Sequence, residues 1–489
     1  SATAHLFRPK LITILGEGYG FEKFRKDFVA GLTVAIVALP LSMAIAVASG
    51  VSPERGLYTS IVGGFLVSAL GGSRFQIGGP AGAFIVLVAA TVAKFGLQGL
   101  LLTVLLSGAM LALLGALRLG SLIRHIPHAV TVGFTCGIAI TIFASQIRDF
   151  AGLKLTGAEP GPLAPKLVAL AQAAPTFDLD SLVIGSGVAA LIFLIRAIRP
   201  YWPGMLLAVA GAAIAAAIFH LPVETIGSRF GGLAHSLPAP RLPEISTSLL
   251  WQVLPSAFSF TLLGGIESLL SAKVADGMTG RVHRSNMELV AQGIANIASA
   301  LFGGISVTGT IARTATNVRS GAIGPIAGIL HSIFLLCFVV FAAPVADYIP
   351  LAALAAVLIT VAWNMAEKHE FAMLLRSSRG DAVVLLSSFG LTVFYDLTIG
   401  ILVGFGIGVL LFLSRMAQAI EVQSMAPLVP EDQADNATGR TRYDSSIASD
   451  PDIVVYRISG AFFFGAASKV GAVLDSIADR SEEHTSELQ

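Results

Sequence analysis

Two charged residues stand where the sequence is otherwise apolar. Arg313 lies in FGGISVTGTIARTATN (302–317), and Glu267 lies in SFTLLGGIESLLSAK (259–273). A guanidinium at mid-bilayer costs about 2.5–3.5 kcal/mol or more, so it is expected to find a pocket, a partner or water. In a pocket, Arg313 would attract an anion. The competing reading lets it snorkel to the membrane surface. A buried carboxyl group can hold a proton and release it when its surroundings change. Glu267 and Ser271 are one helical turn apart, and together they could also give oxygens to a sodium ion. A third reading is structural, with Glu267 capping a helix or pairing with Arg313. The residues by themselves leave these readings open.

The backbone around these groups is built to break. QIGGPAGAF (76–84) carries three glycines and a proline between two apolar runs. Unpaired backbone groups are not tolerated in lipid, so such a break must lie inside protein or line a cavity. The stretch predicts an extended segment entering a half-helix near Pro80, because proline suits a first helical turn. The free amides of that turn, with the helix dipole behind them, suit an anion. FGGISVTGTIARTATN repeats the pattern about 230 residues later. Paired interruptions in two halves point to inverted repeats and a site at mid-membrane.

The elements that must position these groups follow from composition. The chain has 489 residues, 55% hydrophobic and 12% charged, with net charge +1. Soluble domains carry about 25% charged residues, so this chain belongs in a bilayer. No dense basic run offers a nucleic-acid footprint. Cys136 and Cys337 sit in apolar runs and suggest neither a disulfide framework nor a metal cluster. Apolar stretches of span length fall near 28–50, 56–72, 79–95, 99–117, 129–147, 181–198, 203–220, 253–273, 287–303, 309–319, 322–343, 350–364, 381–396 and 397–414. That makes fourteen, in an all-α membrane protein. With the N-terminus inside, inner loops hold seventeen Lys and Arg and outer segments hold seven, up to the last span and leaving out Arg313. The positive-inside rule then puts both ends of this region in the cytoplasm. The first 27 residues lack the apolar core and cleavage site of a signal peptide, and 11–15 suggest a helix on the membrane surface.

Beyond the last span, 417–451 reads as a polar linker. DIVVYRISGAFFFG and AASKVGAVLDSIADR then read as a strand, a turn and an amphipathic helix. This is the opening of an α/β domain over 452–480, with too few residues for its own core. The tail SEEHTSELQ (481–489) does not continue the pattern and reads as truncated or foreign sequence. His125, His128 and Asp396 read as loop or turn residues, and His331 as a core histidine. No Walker loop, GxSxG elbow or Ser-His-Asp order occurs, which argues against an ATP-driven pump and a hydrolase. No cofactor is expected.

Several stretches resemble the sulfate permease (SulP) family of anion transporters. They are DFVAGLTVAIVALPLSMAIAVASGVSPERGLYTS (27–60), QIGGPAGAF, ISVTGTIARTATNVRSGA (305–322) and the long run GGIESLLSAKVADGMTGRVHRSNMELVAQGIANIASALFGG (264–304). The resemblance implies a fold like that of uracil transporters, with two inverted repeats of seven spans. A core of about 28–117 and 253–343 would move against a gate of about 129–220 and 350–416. It implies an anion site built from Leu39, Pro40, Leu41 and Ser42, from Gly79, Pro80, Ala81 and Gly82, and from Thr308, Gly309, Thr310 and Arg313. Glu267 and Ser271 would take the coupling ion. Sodium-coupled members carry Asp where this chain has Glu, which leaves proton and sodium both open. The resemblance further implies a homodimer in the plasma membrane and a STAS domain, of which 452–480 looks like the opening. The expected activity is secondary transport of sulfate, bicarbonate or a dicarboxylate. An anion channel or a nucleobase carrier of the same architecture is the alternative, and Arg313 argues against a nearly neutral nucleobase.

Overall fold

The computed structural model describes residues 7–120, 128–157, 159–160, 162–200, 202–395, 397–418, 421–424 and 456–459. His125, Asp396, most of the linker and of the expected α/β domain, and the tail lie outside them. Helices dominate. Among the described residues, seven helical stretches are long and apolar enough to cross a membrane: Phe21–Ala48, Gly82–Ala116, His128–Phe150, Leu179–Ile198, Thr247–Thr279, Ile326–Ala346 and Leu351–Ser377. Several of the shorter predicted spans are broken elements. The stretch 56–72 divides into a helix, Pro53–Tyr58, a π-turn, Thr59–Gly63, and a second helix, Gly64–Leu70. The stretch 309–319 holds a nine-residue helix, Ile311–Arg319. Gly96, at φ +69°, interrupts the long stretch from Ile85 to Ala116, where the sequence divides two apolar runs.

Small residues let these helices touch backbone to backbone, which is how helices associate where lipid is as apolar as leucine. The helix Ser285–Leu301 lies on Ile85–Ala116 through Gly108 and Gly293. A Cβ on Gly293 would stand 2.4 Å from the Ala112 amide nitrogen, and one on Gly108 would stand 2.7 Å from the Gly293 carbonyl. Gly56 rests on the Ser42 carbonyl in the same way, where a Cβ would come within 2.0 Å. Any side chain at these points would push two helices apart.

A helix, Lys10–Gly16, forms where the sequence suggests one. It buries Ile14 and leaves Ile12 and Leu15 exposed. With its flanking residues it reaches two separate loops. The Lys10 amide donates to the Gly71 carbonyl at 3.0 Å, and Lys10 Nζ to Val282 O at 2.9 Å. Arg284 donates to Arg8 O at 2.5 Å and to Thr13 Oγ1 at 3.2 Å. Arg74 pairs with Glu17 through both terminal nitrogens.

The chain divides into two compact units, 1–405 and 406–489. In the second, Glu421–Ser424 pairs antiparallel with Tyr456–Ser459.

Candidate functional site

The two broken stretches meet. Gly78–Gly79 and Thr308–Gly309 form a two-residue antiparallel pair, Gly78 opposite Gly309 and Gly79 opposite Thr308. Each strand then turns into a helix: a 3-10 turn at Gly82–Phe84 leading into Ile85, and the helix starting at Ile311. Both sets of starting amides leave from one crossing point. Each helix start carries roughly half a positive charge.

Extended backbone inside a helical bundle leaves its amides and carbonyls unpaired unless side chains supply partners. Here they do. The Asn296 amide takes both ends of Val307, accepting from its N–H at 2.9 Å and donating to its carbonyl at 2.8 Å. Thr59 Oγ1 accepts from Ile305 N at 2.7 Å, and Ser299 donates to Ile305 O at 2.7 Å. Thr314 Oγ1 accepts from Ile77 N at 3.1 Å, while Thr310 N donates to Ile77 O at 3.0 Å. Asn317 donates to Phe75 O at 2.9 Å. The breaks are thus paired on both sides and held in one geometry.

Arg313 passes through the middle of this crossing and is 1% exposed. Its Nη1 donates to Ser60 Oγ at 3.1 Å, and its Nη2 donates to Ser42 Oγ at 3.0 Å and to Pro80 O at 3.4 Å. Its Nε has no partner. The π-turn at Thr59–Gly63 presents Ser60 to the guanidinium and Thr59 to the opposite strand. Gly79 lies flat beneath the charge, where a Cβ would stand 2.4 Å from Nη1. Every partner is neutral. No carboxylate answers Arg313 among the described residues, and Glu267 does not pair with it. A buried charge left unpaired is destabilising by several kcal/mol. The fold therefore keeps about one full charge and two half charges of the same sign at one point.

Glu267 sits on Thr247–Thr279 and is 8% exposed, with neither a hydrogen bond nor an ion pair among the described residues. Ser271, one turn on, donates to Thr314 Oγ1 at 3.0 Å. Ser268, on the same helix, shares a hydrogen bond with Thr308 Oγ1 at 2.9 Å and accepts from Gly309 N at 3.3 Å. One helix thus carries the unpaired carboxyl and also grips the second broken stretch.

The chain from 24 to 388 matches the sulfate permease family. It belongs to that family. YvdB of Bacillus subtilis (strain 168), which carries a provisional sulfate-transporter name, is 39% identical over 472 residues, 96% of this chain and 84% of YvdB. The bicarbonate transporter BicA of Picosynechococcus sp. is 29% identical over 478 residues, 94% of this chain and 82% of BicA. Among solved structures, the transmembrane domain of a cyanobacterial BicA superposes with a TM-score of 0.69 at 28% identity, covering 80% of this chain and 98% of that one. SLC26A9 shares the fold, with a TM-score of 0.78 at 18% identity over 88% of this chain and 71% of its own. This family member is a multi-pass membrane transporter of the anion class and not an enzyme.

Within this member of the permease family, the residues singled out from sequence separate into two places. Ser42, Gly79, Pro80, Thr308, Gly309, Thr310 and Arg313 come together at the crossing. Ala81 and Gly82 continue it towards the helix Leu351–Met365, where a Cβ on Gly82 would stand 3.7 Å from Met365 Sδ. Leu39 and Pro40 face elsewhere. They line an apolar cleft of about 210 Å³ against Leu206, Val209 and Phe338. Leu41 is buried in packing. On the helix Pro40 points nearly half a turn away from Ser42, while Leu39 is only about a sixth of a turn from it and reaches the cleft from its flank. Sequence reasoning did not single out Ser60, Ser268, Asn296 or Thr314. Small polar residues are common in packed helices, and only the partner's position shows which ones matter.

Proposed function

We propose that this chain is a secondary active carrier of a small anion of the sulfate, bicarbonate or dicarboxylate class, driven by proton symport. The observation that carries the reading is the buried Arg313 guanidinium, held by neutral partners at the junction of two helix starts. An arriving anion would supply the missing negative charge, close to the amides of Gly82, Ala83 and Ile311. The names of the BicA and YvdB relatives support the substrate class. On this reading the protein has fourteen spans in two inverted seven-span repeats. The paired breaks, 230 residues apart, support that arrangement. The core, about 28–117 and 253–343, slides past the gate, about 129–220 and 350–416, in an elevator motion. It does so as a homodimer in the plasma membrane with cytoplasmic termini. The distribution of Lys and Arg supports the orientation.

Glu267 carries the coupling proton. Its carboxyl group lacks a partner among the described residues to hold it ionised, so a proton is the simplest means of neutralising it in transit. Sodium finds less support. A hard cation wants about six oxygens, and the Glu267 carboxylate with the Ser271 hydroxyl, whose lone pairs stay free as it donates to Thr314, would supply about three.

The test is uptake of labelled sulfate, bicarbonate and fumarate into proteoliposomes under an imposed proton or sodium gradient. Proton-driven accumulation of one of them is expected. Uptake that ignores both gradients would reject symport, and single-channel currents would turn the assignment to a channel.

A further inference from the structure

One corner of the molecule collects charge of a single sign at its surface. The helix Lys10–Gly16 lies across the loops 71–74 and 280–284, and cations hold it there by donating to neutral oxygens. Lys10 Nζ donates to Val282 O at 2.9 Å, and Arg284 donates to Arg8 O at 2.5 Å and to Thr13 Oγ1 at 3.2 Å. These bonds gather Arg8, Lys10, Arg281 and Arg284 onto one small surface. Burial, and then the charges of Arg284 and Arg74, push the Lys10 ammonium below its ordinary value. The acids of this corner are already taken. Glu17 pairs with Arg74, and Asp276 lies 2.5 Å from His283. Glu288 is buried and accepts from the amides of Gly72 and Ser73 at 2.8 and 3.0 Å. The buried charges are thus answered inside the protein, while the four surface cations have no ion pair among the described residues.

Apolar side chains stand exposed between these cations. Val282, next to Arg281, is 71% exposed, and Leu15 and Ile12, on the short helix that carries Lys10, are 54% and 47% exposed. Phe21, 81% exposed, opens the first span-length helix a few residues on. The corner therefore lies where hydrocarbon gives way to water. At that level a surface needs both chemistries: apolar groups enter the acyl boundary, and cations meet phosphate. A soluble anion would leave Ile12, Leu15 and Val282 in water. Acyl chains alone would leave four charges unanswered.

We propose that this corner is a docking surface for an anionic phospholipid of the phosphatidylglycerol type, with Arg8 and Arg281 receiving its phosphate. Both side chains are exposed and make no hydrogen bond among the described residues, whereas Lys10 and Arg284 are already engaged with carbonyls. A guanidinium fork matches two phosphate oxygens, and its charge is answered at the same time. Ile12, Leu15 and Val282 take the upper part of the acyl chains. The lipid holds the loops 71–74 and 280–284 through the helix that already bridges them, so its binding favours the folded state. This surface is separate from the crossing, and it binds lipid whether or not transport is coupled to protons.

The experiment titrates phosphatidylglycerol into the full chain in phosphatidylcholine nanodiscs. Native mass spectrometry counts the lipid retained, and thermal unfolding reads its effect. Phosphatidylglycerol is expected to raise the melting temperature of the wild type by about 2–4 °C. Arg8→Gln combined with Arg281→Gln should weaken retention about 30-fold and abolish that gain, with no change in pure phosphatidylcholine. Arg8→Lys with Arg281→Lys should keep most of both. Arg376→Gln with Arg379→Gln, which removes two exposed cations from another part of the chain, should keep all of it. Equal retention in the wild type and the Arg8/Arg281 double variant would overturn the proposal, as would an equal loss in the Arg376/Arg379 variant. Inorganic phosphate giving the same gain without phosphatidylglycerol would show a site for a free ion instead. A photo-crosslinker at position 281 that captures the acidic sequence 431–452 rather than lipid would give the surface to the chain's own C-terminal region. Neither readout uses transport, so this surface and the carrier reading fail separately.

Discussion

Two regions of this protein handle buried charge in opposite ways. At the N-terminal strap, charges are matched. Arg74 is paired with Glu17, and His283 lies 2.5 Å from Asp276. Asp27 accepts from Tyr19 at 2.5 Å and from the amides of Ile323 and Gly324 at 2.6 and 3.1 Å. These bonds tie three helices to neighbouring loops, and each acceptor has its donors. At the crossing, Arg313 and Glu267 are buried too and have no oppositely charged partner among the described residues. The difference separates two uses of charge. Matched charges fix a structure, and removing one partner leaves the other stranded. Unmatched charges in a bilayer destabilise the resting protein and leave binding energy to be released when a ligand or proton arrives.

The sharpest test of that contrast is Arg313→Met. It should weaken anion binding by about 100-fold, because a charge-assisted contact is lost. It should also raise the melting temperature of the ligand-free protein, since an unpaired buried charge is gone. Arg74→Met is the counterpart: a lower melting temperature and an affinity within about twofold of wild type. A loss of stability in Arg313→Met would break the comparison. Calorimetry and thermal unfolding in detergent measure both.

Glu267→Gln comes next. Gradient-driven uptake should be lost while anion exchange persists, because a permanently neutral side chain mimics the protonated form. Full coupled uptake would make Glu267 structural.

A smaller effect is expected from Gly79→Ala, whose Cβ would stand 2.4 Å from Arg313 Nη1 and 3.1 Å from Ser60 Oγ. Displacing the guanidinium should weaken anion binding about tenfold. Gly211→Ala, with nothing within 4 Å of its Cβ, is the comparator and should change neither binding nor folding.

The smallest effect belongs to the strap. The Arg74 hydrogen bond holds the Glu17 carboxyl below the usual carboxylate range. A depressed native pKa gives stability that is present above the unfolded carboxylate value and lost as pH falls through the native one. The melting temperature should therefore drop on acidification more steeply in wild type than in Glu17→Gln. Glu17 is open to solvent, so the difference should be roughly 1–2 °C.

The amino-acid order alone was enough to reveal the bilayer, the two breaks and the two stray charges. Hydropathy, proline and glycine act over a few residues, so their effects are written locally. It could also suggest an anion, because a lone arginine among threonines and glycines has few other reasons to lie in lipid. What it could not contain was the pairing of Gly78 with Gly309, or the choice of Ser42, Ser60, Asn296 and Thr314 from many similar residues. Nor could it turn Leu39 and Pro40 towards a different cleft. Those outcomes depend on segments up to 271 residues apart arriving at one point. Only packing, with backbone against backbone at glycine, decides which side chains meet there.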